Sequence, residues 1–241
     1  EYVPYKALID VENSGNKKIQ QFAYIENGKL CTNKTTDART AQYAGVNCGY
    51  IPNYISATII FEKGTSGGTA AIICNPSGLT KVNDIVNNSL HCILTPKRLK
   101  VDFLGQKYGK YYYYNFLDED FESDIPLDGK TETKIKIQWD MKKVTVELTR
   151  ENETKTYASQ EYDGDVPFSK FVGQYVSIEH YCDGDRNSIA MPQFCGFETG
   201  NSGQDNETRI FDNFKRQDGS LSVTPTGQIW VCISNAYNNN D

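Results

Sequence analysis

The oxygen-rich segment from Asp183 to Asn187 has the residue types and spacing that bind a hard cation. Its side-chain oxygens stand at Asp183, Asp185 and Asn187, and alternate oxygen ligands of this kind suit calcium. The pattern then departs from a calcium-binding EF-hand loop, because Ser188 holds the sixth position and Phe194 the twelfth. Two interpretations stay open, a plain β-turn and a calcium-dependent glycan site. We expect no other cofactor.

Four consecutive tyrosines, Tyr111, Tyr112, Tyr113 and Tyr114, form the most unusual run in the chain. On a strand, two of these rings face the core and two face outward. An exposed tyrosine offers an apolar ring with a polar tip, which suits stacking on a sugar or contact with another protein. The run therefore predicts a ligand-binding surface, and the alternative is an aromatic-rich strand with one exposed pair.

Two other segments match catalytic patterns only in part. Residues 64–68 read Gly-x-Ser-x-Gly, but a nucleophile elbow needs a helix after the serine. The apolar residues 69–74 predict a strand there, so we expect a glycine-rich hairpin turn. The acidic run from Asp118 to Asp124 places charges at adjacent positions, which point to both faces of a strand. We expect a solvated loop or an acidic edge.

The net charge of the chain limits the classes of molecule that it can bind. With 25 basic and 31 acidic residues the net charge is −6, which argues against nucleic acid or an anionic membrane as the main partner.

The seven cysteines include no C-x-x-C pair, and Cys74 and Cys92 lie in apolar runs. We expect mostly reduced, buried thiols. The alternatives are disulfides Cys31–Cys48 or Cys182–Cys195.

Almost every patterned segment alternates with period two, which predicts strands. Ile135, Ile137 and Trp139 alternate with polar residues, and after a short turn the alternation resumes at Val144. This pattern is typical of a β-hairpin with one buried face. Further strands are predicted near residues 57–61, 99–103 and 175–181, and a short helix only around 79–87. Strands separated by turn residues indicate an all-β, two-sheet antiparallel jelly-roll sandwich.

The chain divides unevenly. Residues 1–198 show no linker and no internal repeat, whereas 199–207 are rich in Gly, Asn and Ser and predict a loop or linker. Residues 208–241 are too few to bury a core of their own. We therefore expect 208–236 to pack on this sandwich or a neighbouring one, with Phe214 and Trp230 filling apolar slots.

Several strand segments resemble concanavalin A-like (laminin-G-like) sandwich domains, in particular those carried by phage virion proteins. The matching segments are residues 22–30, 89–96, 134–140 and 171–181. Residues 211–230 resemble the segment that normally opens such a domain, although here they stand at the C-terminus. The resemblance implies a fold and a setting, a virion particle, more than an activity.

These observations together favour a non-enzymatic virion protein, a capsid decoration, fibre or tail adhesin. Its partners would be host-surface glycan or neighbouring virion subunits, and the displaced opening segment favours a homo-oligomer through strand exchange. The alternative is a polysaccharide-degrading lyase or hydrolase on the same fold, with His91, His180 and Glu179 beside the tyrosines as its candidate groups. A secreted lectin-like domain is a third interpretation.

Overall fold

The computed structural model describes residues 23–32, 40–64, 68–78, 88–107, 110–182, 190–203 and 208–236. They form sixteen strands and a single 3-10 turn, Phe168–Lys170. The strands are β1 Ala23–Glu26, β2 Lys29–Thr32, β3 Thr40–Asn47, β4 Tyr54–Lys63, β5 Gly68–Asn75, β6 Ser89–Leu94, β7 Arg98–Lys107, β8 Lys110–Asp120, β9 Asp128–Trp139, β10 Val144–Arg150, β11 Glu153–Ala158, β12 Tyr175–Cys182, β13 Ala190–Asn201, β14 Thr208–Asp212, β15 Gly219–Ser220 and β16 Val231–Ala236. Across these described ranges no helix is both long and apolar enough to cross a bilayer.

The strands form two antiparallel sheets. The nine-stranded sheet has the order β11-β10-β9-β4-β13-β2-β1-β15, with β14 paired to β13. The seven-stranded sheet has the order β16-β3-β12-β5-β6-β7-β8. One apolar cluster lies between them, as expected when each sheet buries one face. The predicted fold class, an all-β jelly-roll sandwich, is confirmed.

The β9–β10 hairpin shows how the sequence builds these sheets. Ile135, Ile137 and Trp139 pair with Leu148, Val146 and Val144 in register, and all six side chains are buried in the core. The turn at 140–143 is stabilised by Asp140, whose carboxylate accepts hydrogen bonds from the backbone N–H groups of Lys142 and Lys143. The alternating pattern therefore predicted the hairpin correctly.

The C-terminal segment contributes strands to both sheets of its own sandwich. β14 pairs with β13, β15 with β1, and β16 with β3. Phe214 and Trp230 are fully buried. The indole N–H of Trp230 donates to Asp212 at 2.8 Å, and Arg216 forms a bidentate ion pair with the same carboxylate. These contacts fasten the segment to the core.

Two local expectations differ from the structure. Residues 199–201, expected in a linker, belong to β13 and pair with β14 in a hairpin, because polar and glycine residues here still complete ladder hydrogen bonds. Residues 65–67 of the expected hairpin turn lie outside the described residues, and the strands on either side of them, β4 and β5, belong to different sheets. The helix expected around 79–87 lies outside the described residues.

Candidate functional site

Adjacent residues of β12 point to opposite sides of the seven-stranded sheet. His180 faces the core, where its Nδ1 lies 2.6 Å from the hydroxyl of Thr32 in the other sheet. Glu179 points away from the core and stands beside Tyr43 of β3 and Ala71 of β5. The strict alternation of a strand produces this separation. It leaves Glu179 on the candidate face and removes His180 from it.

Glu179 is a carboxyl group in an apolar setting. Only 7% of the residue is exposed, and the described neighbours across both adjoining strands offer it one polar partner, a hydrogen bond from Tyr43. Burial raises the pKa of Glu179 to about 7, and the Tyr43 hydrogen bond opposes the rise. Because burial disfavours the charged form, this side chain holds a proton near neutral pH.

A second polar cluster lies on the same face, on β6 and β7. His91 is directly opposite Asp102 across the two strands, and its Nε2 lies 2.7 Å from the hydroxyl of Ser89. Burial, with a smaller contribution from Lys100, lowers the pKa of His91 to about 4. The imidazole is therefore neutral at pH 7.

Asp102 is the other buried carboxyl group of this face. It is 3% exposed, and burial raises its pKa to about 6, although Lys100 and Tyr113 both bond to it and oppose the rise. The Lys100 ammonium lies 3.4 Å from its Oδ2, whereas its Oδ1 has no hydrogen-bond partner among the residues that the structure describes. We call the set Glu179, His91, Asp102, Ser89 and Lys100 the outward polar face.

The tyrosine run lies on β8, an edge strand of the seven-stranded sheet. Tyr113 points outward, is 54% exposed, and has the Lys100 ammonium 4.8 Å from its ring centroid. Tyr114 points inward, where its hydroxyl donates to Asp163. Tyr112 is at the margin of the core side and 36% exposed. The side chain of Tyr111 lies outside the described part of the chain. Binding of a ligand by this run stays a prediction.

The remaining candidate segments do not join this face. Residues 183–189, with Asp183, Asp185 and Asn187, lie outside the described residues, so the calcium interpretation stays a prediction. Among the residues that the structure describes, no group of acidic, histidine or cysteine side chains is arranged to hold a metal ion.

The acidic run is split between a strand and a loop. Asp118 pairs with Arg98 at the edge of the sheet. Glu122 and Asp124 line a cleft of about 450 Å³ beside β10 and β11. The solvated position of the run agrees with the expectation from its sequence.

The six cysteines whose side chains the structure describes are free thiols, among them Cys31, Cys48 and Cys195. Burial raises the pKa of Cys31 and Cys195 to about 11 and that of Cys48 to about 12. Buried thiols with raised pKa values are unreactive. Neither alternative disulfide is present between these residues.

Sequence reasoning missed Asp102, Ser89 and Lys100. A signal was available, because β6 and β7 are joined by only residues 95–97, and so short a connection predicts an antiparallel hairpin. Aligning that hairpin would have placed His91 opposite Asp102. The position of Glu179 between β3 and β5 depends on pairings between distant segments, which local patterns do not contain.

No protein-family model and no curated protein sequence matches the chain. Among solved structures, it is similar to a family 16 endo-glucanase from Bacteroides ovatus, with 11% identity over 70% of this chain and 87% of the other, at a TM-score of 0.43. It is also similar to tailspike protein 2 of bacteriophage CBA120, with 15% identity over 71% and 23%, at 0.37. Lectin II from Ulex europaeus aligns with 10% identity over 64% and 70%, at 0.35.

These likenesses agree with the concanavalin A-like sandwich that the sequence segments indicated. The expectation of a non-enzymatic protein is corrected. Several of the similar structures are glycoside hydrolases, including a laminarinase and a κ-carrageenase. That expectation also rested on the lack of an acid motif within one strand, whereas the structure shows a nearly buried carboxyl group, Glu179, with a raised pKa on β12.

Proposed function

We propose that this protein cleaves polysaccharide, with Glu179 as the proton donor to the departing sugar. The observation that supports the proposal is a nearly buried carboxyl group, with a pKa of about 7, on β12, an interior strand of the seven-stranded sheet. A general acid must carry its proton at the working pH. Burial in an apolar setting is the usual way in which a glutamate achieves this.

Asp102, the other buried carboxyl group of this face, differs from Glu179 in its charge state at pH 7. Its pKa of about 6 leaves most of it ionised at pH 7, the state required of a base that activates water. Glycoside hydrolysis commonly uses one protonated and one ionised carboxyl group. Asp102, however, lies on β7, three strands from Glu179 on β12, which is roughly 14 Å at about 4.8 Å per strand. An inverting glycosidase holds its two carboxyl groups about 6.5–9.5 Å apart, so Asp102 does not act on the same bond as Glu179. In the proposed reaction Glu179 protonates the glycosidic oxygen as its bond to the sugar breaks, and water adds to the sugar carbon and releases its proton to solvent.

The face around these groups has the chemistry of a sugar-binding surface. Tyr175 and Tyr181 lie on the same strand as Glu179 and are partly exposed, and Tyr113 is exposed at the sheet edge. Aromatic rings with polar tips can stack on a sugar ring and bond to its hydroxyl groups. We therefore propose Tyr113 as a contact for the glycan chain.

The proposal is tested by measuring reducing ends released from laminarin, mixed-linkage β-glucan and κ-carrageenan. We expect release from at least one polymer, and a loss of at least about 100-fold in Glu179→Gln, in the range that general acid catalysis contributes. The matched control is Glu147→Gln, because Glu147 is an exposed glutamate on β10 of the other sheet. Equal rates in the two variants, or no release from any polymer, would oppose the proposal.

We also propose a phage particle as the setting and a homo-oligomer as the assembled form, on the strength of the sequence segments that resemble virion domains. Cleavage of host-surface glycan would then serve attachment. Native mass spectrometry tests the assembly, since a symmetric multimer is expected. A mass equal to one 27.2 kDa chain at micromolar concentration would overturn the oligomer.

A further inference from the structure

A groove crosses the nine-stranded sheet on its side away from the core, opposite to the outward polar face. Two adjoining depressions of about 140 and 340 Å³ share Thr58 and Lys134. Together they run from β14 across β13, β4 and β9 to the turn after β10. At about 4.8 Å per strand, this path is on the order of 19 Å long. We call it the outer groove.

The groove arises from differences in side-chain length between neighbouring strands. β4 contributes Ser56 and Thr58 to the floor, and β13 contributes Gly196, which pairs with Thr58. Lys134 of β9 pairs with Thr58 and lines both depressions, and Lys136 on the same strand pairs with Ser56. The outward face of an antiparallel sheet is normally covered by long polar side chains. Here short residues in the centre leave a trough between taller neighbours.

The β14 side of the groove is held rigidly by its own contacts. Arg209 donates to Glu198 at 2.6 Å, and Tyr54 donates to the same carboxylate at 3.0 Å. The Arg209 guanidinium lies 4.8 Å from the ring centroid of Phe211. Phe211 is thus a partly exposed ring supported from one side, and its orientation does not need to be fixed by a ligand.

The charges of the groove largely neutralise one another. Arg209 is paired with Glu198, and the Lys136 ammonium lies over the Tyr54 ring at 5.1 Å. Lys134 shares its depression with Glu132 and Glu151. An anionic or a cationic polymer would meet both signs along this path, so the groove offers no net attraction to either.

We propose that the outer groove binds a neutral oligosaccharide chain, separately from the cleavage of polysaccharide. Hydroxyl groups of Ser56, Thr58, Thr131 and Thr149 and the amide of Asn152 line it, and they match the donors and acceptors of sugar hydroxyls. The Phe211 ring supplies an apolar surface for one sugar face. The volume of the larger depression lies in the range of ligand sites.

The experiment is calorimetric titration with three neutral probes, laminarihexaose, cellohexaose and maltohexaose, and with one anionic probe, a heparin hexasaccharide. The protein carries Glu179→Gln, so that cleavage does not affect the titration and the result is independent of the catalytic proposal. We expect at least one neutral probe to bind, with an affinity that does not change between low and high salt.

Variants locate the binding. Thr58→Tyr fills the groove, and Phe211→Ala removes the ring on which a sugar would stack. Each variant is expected to weaken binding by about tenfold or more, equivalent to about 1.4 kcal/mol. Thr145→Tyr is the matched control, because Thr145 lies on the same face of the sheet outside the groove. Circular dichroism checks that each variant is folded. No binding of any neutral probe, preference for the heparin probe, or equal binding by the Thr58→Tyr and Thr145→Tyr proteins would overturn the proposal.

Discussion

At the scale of single residues, the function depends on which side of a strand each side chain takes. The sequence identified His91, His180 and Glu179 as candidate groups, but it did not show that Glu179 and His180 are separated by the sheet itself. His180 serves the core through Thr32. Glu179 is the group that we propose as the proton donor, because its surroundings keep it protonated close to neutral pH.

The raised pKa of Glu179 predicts a specific pH dependence of stability. Below its ordinary pKa of 4.5 the carboxyl is protonated in both the folded and the unfolded chain. Between about 4.5 and 7 only the unfolded chain releases the proton, so this group lowers the free energy of unfolding as pH rises, by on the order of 3 kcal/mol in total. The Glu179→Gln variant has no carboxyl group at this position, so its free energy of unfolding does not fall for this reason as pH rises.

Urea unfolding of the two proteins at several pH values measures the effect. The stability of Glu179→Gln relative to wild type should increase from pH 4.5 to pH 7, whereas Glu147→Gln should show no such trend. A constant difference between wild type and Glu179→Gln across this range would mean that the carboxyl titrates normally.

The core histidine gives an independent prediction. Thr32→Val keeps the shape of the side chain but leaves Nδ1 of the buried His180 without its partner. An unsatisfied buried polar group costs about 1–3 kcal/mol, and we expect a loss of that size in the free energy of unfolding. Polysaccharide cleavage measured in the folded variant should be unchanged, since His180 faces away from Glu179. A large loss of activity without a loss of stability would show that His180 takes part in the reaction.

At the scale of elements, the sequence predicted local structure well and long-range pairing poorly. The β9–β10 hairpin follows directly from alternation at residues 135–148. No local pattern, however, could show that β12 lies between β3 and β5, because that pairing joins segments about a hundred residues apart. The outward polar face exists only through such pairings, so only its individual members could be predicted.

The C-terminal segment is held by a buried carboxylate, and this predicts a large effect of a small change. Asp212 is 1% exposed and bonds to Arg216, Trp230 and the amide of Phe214. Asp212→Asn removes the charge that Arg216 requires, and breaking a buried pair costs roughly 3 kcal/mol. Thermal unfolding should reveal the loss, with the exposed Glu161→Gln as control. An unchanged melting temperature would indicate that the segment is not anchored through this contact.

At the scale of the whole molecule, the sandwich presents two polar surfaces on opposite sides of a single core. One concentrates nearly buried ionisable groups on the seven-stranded sheet, and the other is an open groove on the nine-stranded sheet. The alternation of apolar and polar residues along each strand predicts neither surface. It shows only which side chains face the core. A rigid scaffold of this kind leaves its outward residues free to acquire a function.

The most direct measurement is the pH dependence of kcat/KM for release of reducing ends from the polymer that is cleaved best. We predict that kcat/KM falls as pH rises through about 7, the pKa of Glu179, because the ionised carboxyl has no proton to donate. In Glu179→Gln the rate should be strongly reduced and the limb near pH 7 lost. A wild-type profile that stays flat through this range, or a Glu179→Gln protein that retains the wild-type rate and profile, would contradict the assignment of Glu179 as the proton donor.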